Sequence, residues 1–471
     1  MSRFSRPAVT RRAFLASTGA GFALAPLGGV RAAQTTGVRL RAAPATVRLV
    51  PEPYGETALW CYGGSVPGPE IRVRQGERVR VLLDNGLAED TTIHWHGLRL
   101  PNAMDGVPDV TQPPVRPGGT FAYEFDAVDA GTFWYHPHSN SMEQVARGLY
   151  GVLVVEEREP ALRVDRDVTW VLDDWRMTEE AELAPGFDNG HDMSHAGRLG
   201  NWATVNGSSP GEFAVRAGER IRLRLVNTAN ARVFGLQFED HRPQVVALDG
   251  HPVAPHAPEG SRVVLGPGMR ADIVLDMTGE PEARTPVIDA FYRNREYRLL
   301  DLAYASEPLR AAPPDWPLVL PPNPLPEPEV GGAVRHEMMF TGGAMGGAIM
   351  AEMGGRMGPV GPRSFWFVDG EAPSGDVPGP MLTLKRGRSC VIAMTNATAW
   401  PHPMHLHGHA FRILSRNGRP TKHREWRDTV LMEPREKVEI AFLADNPGDW
   451  LFHCHVLGHQ ASGMKSLIRV L

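Results

Sequence analysis

Near its C-terminus the 471-residue chain reads His453-Cys454-His455-Val456-Leu457-Gly458-His459-Gln460-Ala461-Ser462-Gly463-Met464. A thiol lies between two imidazoles, with a third imidazole five residues after the thiol and a thioether ten residues after it. A Cys, imidazole and a weak axial Met form the ligand set of a blue-copper electron-transfer site. In a strand, side chains alternate faces with period two, so His453 and His455 point one way and Cys454 the other. The two flanking histidines therefore cannot hold the same ion as the thiolate. The segment reads as a wire between two metal sites.

Three further clusters share this chemistry. They are His94-Trp95-His96, His136-Pro137-His138 and His402-Pro403-Met404-His405-Leu406-His407. With the terminal motif they hold ten of the eighteen histidines. Each His-x-His pair presents two imidazoles on one strand face or loop edge, which is how a chain chelates adjacent metals. A lone histidine is usually a hydrogen-bonded structural residue, and one pair is ambiguous. Four pairs together with a Cys/His/Met set leave little room for a structural reading.

The elements that must position these residues are strands. Gly (50) and Pro (42) are plentiful and long helical periodicity is absent, which favours turn-rich β structure. One pattern recurs three times, at Val73–Asn85, Val215–Asn227 and Leu384–Asn396. In each copy an Asn follows a Gly by nine residues: Gly76 and Asn85, Gly218 and Asn227, Gly387 and Asn396. The Gly marks a turn, the alternating run a strand, and the Asn the next turn. The repeat predicts an all-β chain of three sandwich domains, at 34–160, 161–306 and 331–471. Between the last two, residues 308–328 contain nine prolines, an extended linker expected over 307–330.

Arg11-Arg12-Ala13-Phe14-Leu15 and the apolar, Gly/Ala-rich run to Leu27 form a twin-arginine export pattern over residues 1–33. It predicts a periplasmic protein. Residues 1–32 carry five arginines and no acid, so their removal takes the formal charge from -5 to -10. No basic block suggests nucleic acid, and no later window is long and apolar enough to cross a bilayer. Besides Cys454 there are only Cys61 and Cys390, expected as two separate buried thiols. The expected assembly is a monomer.

These motifs resemble those of the multicopper oxidases, the laccase and copper-efflux oxidase family, over nearly all of the chain beyond the export segment. The resemblance implies three cupredoxin-like Greek-key domains and four copper ions. The type 1 copper would take His402, Cys454 and His459, with Met464 axial. The type 2 copper would take His94 and His405. The type 3 pair would take His96, His136, His138, His407, His453 and His455. The first and third domains then share the cluster, and the second is a spacer whose His191, His195, His241, His251 and His256 are surface or hydrogen-bonded residues. Electrons would pass from the type 1 site through Cys454 to His453 and His455, and O2 would be reduced to water. Asp105, in Asp105-Gly106, matches an acid the family places beside the cluster as a proton relay. A turn aspartate explains the same residue. Gly458 and Gln460 flank His459 where relatives carry acids, and Gln cannot titrate.

The reductant is less defined. Met338, Met339, Met345, Met350, Met353 and Met357 fall within twenty-one residues, 337–357. Thioethers suit Cu(I), and the resemblance makes this a Cu(I) recruitment segment. Met as an adaptable core filler is the plainer reading. The copper-efflux relatives have an Asp and a Met just before the first type 1 histidine; here the residues are Thr398, Ala399, Trp400 and Pro401. Trp400 suits a phenol or an aromatic amine, so laccase-type oxidation is the alternative. Non-enzymatic copper storage is a third reading, but storage needs no Cys-His wire between two site types.

Overall fold

The three repeats build the same corner three times. Gly76, Gly218 and Gly387 all adopt left-handed backbone, with φ of 89°, 79° and 79°, which glycine adopts without steric cost. The strand before each glycine joins one sheet and the strand after it joins the facing sheet. Gly68–Arg74, Glu212–Val215 and Pro380–Leu384 pair in parallel with Gly151–Glu156, Tyr297–Tyr304 and Lys465–Val470. Arg78–Asn85, Arg220–Asn227 and Arg388–Asn396 pair in parallel with Thr35–Val47, Arg166–Trp175 and Val334–Gly342. The repeated asparagines then close the next turn in one way. Each side-chain oxygen accepts from the backbone N–H two residues on, and each amide donates to one carbonyl four or five residues on and to another thirty or more residues further along.

The computed structural model describes residues 35–356, 363–373 and 379–471. The twin-arginine segment and Met357 lie outside the described residues. Six sheets pair into three cupredoxin-like β-sandwiches. Apolar side chains from both sheets fill the middle of each: Val81, Trp95, Phe125 and Leu153 in the first, Leu223, Phe234 and Ile273 in the second, Ile392, Phe411, Phe442 and Trp450 in the third. Among the described residues no helix is long and apolar enough to cross a membrane. Cys61 and Cys390 are free, buried thiols in different cores.

The proline-rich segment has no regular secondary structure and touches all three sandwiches. Asn323 exchanges two 2.8 Å hydrogen bonds with the backbone of Ala130, Arg220 donates to the Trp316 carbonyl at 2.7 Å, and Glu327 pairs with Arg412. The Met-bearing stretch is divided. Met338 lies on the strand Val334–Gly342 and is 1% exposed in the third core. Met350 lies on the short helix Gly347–Glu352, a helix not anticipated among so many glycines. Among the described residues of this stretch only Met345, 78% exposed, presents itself fully to solvent.

Two antiparallel strand pairs carry the histidine motifs. His94–His96 pairs with Gly131–His136, setting His94 opposite His136. His402–Leu406 pairs with Gly448–Cys454, setting His405 opposite His453 and Met404 opposite Cys454. Strand alternation then separates the residues. Cys454 enters the core of the third sandwich, while the His453 and His455 rings, 5.6 Å apart, meet the histidines of the first.

Candidate metal centre

Eight imidazoles meet between the first and third sandwiches: His94, His96, His136, His138, His405, His407, His453 and His455, all buried. Candidate ligand atoms fall within 4.8 Å of one another in three sets, namely His94/His96/His405, His94/His138/His407 and His96/His136/His455. His453 joins through Nε2, 3.1 Å from Nε2 of His407. Burial, reinforced by neighbouring imidazoles, lowers the pKa of His96, His136, His138, His405, His407, His453 and His455. The rings are therefore neutral, which is the ligating form.

The hydrogen bonds select which nitrogen each ring offers. Nδ1–H of His94, His136, His405 and His453 donates to the carbonyl of Asp105, Pro137, Asp428 and Cys454, at 2.9, 3.1, 2.9 and 2.9 Å. Among the described residues, Nε2 of His94, His136, His138 and His405 has no partner. His96 is reversed: its Nε2 pairs with Asp428 Oδ1 at 3.1 Å and Thr429 Oγ1 at 3.0 Å, and its Nδ1 is the orphan. Buried polar atoms without partners are costly. Here they converge in one place with the carbonyls and carboxylates that orient metal-binding imidazoles behind them. The donor set fits copper.

Two carboxylates tie the rings. Asp105 accepts from His407 Nδ1–H at 2.8 Å and lies 3.2 Å from His94 Nδ1. The following Gly106 has φ +82°, and a Cβ there would lie 1.8 Å from the Ile93 carbonyl oxygen. The turn is thus specific as well as compact, and it carries Asp105 into the cluster. Asp428 was not anticipated. It bridges His96 and His405 (3.1 and 3.3 Å) and takes a bidentate pair from Arg270 at 2.8 and 2.6 Å. Its only trace in the sequence is an acid set between Trp426 and the apolar run Val430-Leu431-Met432.

Outside the cluster, His402, Cys454 and His459 form a second buried set. Cys454 Sγ lies 3.5 Å from His402 Nδ1 and 3.7 Å from His459 Nδ1. Burial pushes the thiol pKa up, opposed by the Val456 N–H, so an ionised sulfur here requires a cation. The Met464 carbonyl accepts from the Cys454 N–H at 3.0 Å, which holds the buried Met464 beside the thiol in the same core. Neither imidazole has a free outer edge. His402 Nε2 pairs with Thr398 Oγ1 at 2.8 Å, and His459 Nε2–H donates to the His195 carbonyl at 2.7 Å.

His195 belongs to the second sandwich, so that domain is more than the spacer expected from its lack of paired histidine motifs. Arg270 and the His195 carbonyl both reach the metal sets. A Cβ at Gly268 would lie 2.8 Å from the His455 ring. His241, His251 and His256 do serve as hydrogen-bonded residues.

Gln460 pairs with His138 Nδ1 at 3.3 Å and accepts from Ser141 at 3.4 Å. Both Gln460 and His138 line a cavity of about 1020 Å³, together with Glu89, Asp109, Glu143 and Lys465. The cavity reaches the cluster at His138, with acids along its wall.

Family models described as multicopper oxidase match residues 45–160, 166–296 and 356–471. A crystal structure of a multi-copper oxidase from Pseudomonas thermotolerans superposes with a TM-score of 0.83 at 37% identity, covering 93% of this chain and 100% of that one. Multicopper oxidase MmcO of Mycobacterium tuberculosis is 29% identical, covering 98% of this chain and 97% of its own. Laccase-1 of Botryotinia fuckeliana is also 29% identical, covering 86% and 77%.

Proposed function

The chain belongs to the multicopper oxidase family, and from this we propose that it oxidises Cu(I), four ions per O2 reduced to two waters, as a copper-tolerance enzyme of the periplasm. The export reading rests on Arg11-Arg12 and the apolar, Gly/Ala-rich run that follows them. In the proposed assignment His402, Cys454, His459 and Met464 hold the type 1 copper, and His94 and His405 the type 2. His96, His136 and His455 hold one type 3 copper, with His138, His407 and His453 on the other. Bound copper supplies one-electron chemistry and the site of O2 reduction.

The chain's own residues do the rest. The Cys454 backbone joins the thiol directly to the two histidines on either side of it, so electron delivery needs no moving part. Asp105, hydrogen-bonded to rings of both copper-bearing domains, is the carboxylate placed to hand protons to the cluster. Gln460 orients His138 without carrying a proton. Protons therefore enter through the acid-lined cavity.

One observation carries the choice of Cu(I). Both type 1 imidazoles are capped from within the protein, so no ring N–H is left to donate to the oxygen of a bound phenol. The backbone beside the exposed Met345 is tied to the residue before the capping His195, because the Ala344 N–H donates to the Ser194 carbonyl at 2.7 Å. Trp400, half-buried and 5.6 Å from the His195 ring, supports a second reading, oxidation of aromatic reductants stacked on the indole. Oxygen uptake by the copper-loaded enzyme with Cu(I) and with 2,6-dimethoxyphenol tests the choice. A much higher kcat/KM for Cu(I) is expected, and a preference for the phenol would reverse the two readings.

A further inference from the structure

The short helix Gly190–Ser194 stands directly outside the type 1 set, and it carries chemistry the reaction has not yet used. Asn189 caps it by accepting from the His191 N–H at 2.8 Å. His191 and His195 are four residues apart, so their rings fall on one face and stack, centroids 3.9 Å apart at 30°. His191 is exposed and, among the described residues, neither of its ring nitrogens has a hydrogen-bond partner. His195 Nδ1–H donates to the His191 carbonyl at 2.9 Å, which leaves Nε2 with its lone pair free. Met345 is held next to this pair by the Ala344–Ser194 hydrogen bond and by Trp400, whose Nε1–H donates to the Ala344 carbonyl at 3.0 Å. Its φ of +66° is rare for a methionine, so the loop holds the residue exposed rather than letting it fold onto the core.

We propose that His191, His195 and Met345 form the docking site for the reductant, a cuprous ion, on the second domain's side of the type 1 centre. The proposal rests on Cu(I) being the substrate. Two imidazoles and a thioether are a donor set that a soft monovalent ion accepts and Ca2+ or Mg2+ does not. The connection inward is short. Only Cβ, Cα and the carbonyl carbon separate the His195 ring from the oxygen that accepts the His459 Nε2–H. A cuprous ion held on that ring gives one electron to the oxidised type 1 site and leaves as Cu(II). Four such events, with four protons and one O2, balance two waters. The open face lets product leave without any movement of the core.

Ag(I), a redox-inert stand-in for Cu(I), gives a readout independent of turnover. Calorimetric titration of the copper-loaded enzyme is compared with the double variant His191→Ala/His195→Ala and with Met345→Leu. Alanine keeps the residue-195 carbonyl, and the blue absorption of each variant reports whether the type 1 site is intact. The double variant is expected to lose one Ag(I) equivalent. Its kcat/KM for Cu(I) should fall about tenfold relative to that for 2,6-dimethoxyphenol, with the change in KM. Met345→Leu should weaken Ag(I) binding less. Unchanged Ag(I) stoichiometry and an unchanged Cu(I)-to-phenol ratio in the double variant would overturn the proposal. Ag(I) bound at the two histidines of an enzyme that does not oxidise Cu(I) would overturn the substrate reading and leave the metal site standing.

Discussion

Arg270 of the second sandwich grips Asp428 of the third with both prongs, at 2.8 and 2.6 Å, and Asp428 in turn bonds His96 of the first. The pair is wholly buried. Burial alone would raise the Asp428 pKa, but Arg270, His405 and His96 hold it well below the ordinary carboxylate range. Asp249, also near Arg270, is pushed up to about 6 by burial and by Asp428. One guanidinium thus keeps one carboxylate ionised behind two cluster histidines and fixes which nitrogen His96 presents.

Removing that cation leaves Asp428 without its counter-charge in a buried site, while Asp249 keeps Arg427 at 3.7 Å. Arg270→Ala should cost about 3–5 kcal/mol of stability, measured by thermal unfolding of the copper-free protein. Asp428→Asn keeps the shape and removes the charge that orients His96 and His405. Copper retention against a chelator should weaken about 10- to 100-fold, as for other residues that orient metal ligands. Unchanged retention would mean that the histidines hold their orientation without Asp428.

Asp105→Asn should reduce O2-dependent turnover about 100-fold, the scale of a lost proton-transfer group. Anaerobic bleaching of the blue band by reductant should keep its rate, because that step ends before protons are needed. Normal aerobic turnover in this variant would make Asp105 only a turn residue.

Gln460 offers the reverse experiment. Gln460→Glu places a titratable group between His138 and the acidic cavity. If proton delivery limits the rate, kcat rises several-fold, and most at low pH, where the new carboxyl is protonated and able to donate. A pH–kcat profile that superimposes on the wild type would show that protons are not limiting.

The histidine clusters were legible in the sequence because strand periodicity is local. His-x-His sets two rings on one face whatever the rest of the chain does, and the Gly-to-Asn repeat reports a corner built within a dozen residues. What stayed hidden depends on long-range contact. Arg270 and Asp428 are 158 positions apart, and nothing beside either residue signals the other. His195 looked like an isolated surface histidine, since its role lies in a backbone carbonyl. Met338 looked like a ligand beside Met339, yet pairing of its strand with Arg388–Asn396 turns it into the core.

Burial also lowers the pKa of His251 to about 4. Between that value and the ordinary imidazole value near 6.5, the unfolded chain binds a proton that the native state refuses. Stability from this group is therefore present above about 6.5 and lost as pH falls through the window, by up to about 3 kcal/mol for a shift of this size. The drop in unfolding temperature of copper-free protein between pH 7.5 and 5 should be smaller in His251→Asn than in wild type. An equal drop in both would remove His251 from the account.

The proposed function requires the Cys454 set and the eight-histidine cluster to be two linked copper sites of one oxidase. The most direct measurement is copper content, visible spectrum and O2 uptake on loaded wild type and Cys454→Ser. Four coppers, an intense blue band and steady oxygen consumption are expected for the wild type. The variant should hold three coppers and lose the blue band and the turnover together. Full oxidase turnover in a colourless Cys454→Ser protein would contradict the account.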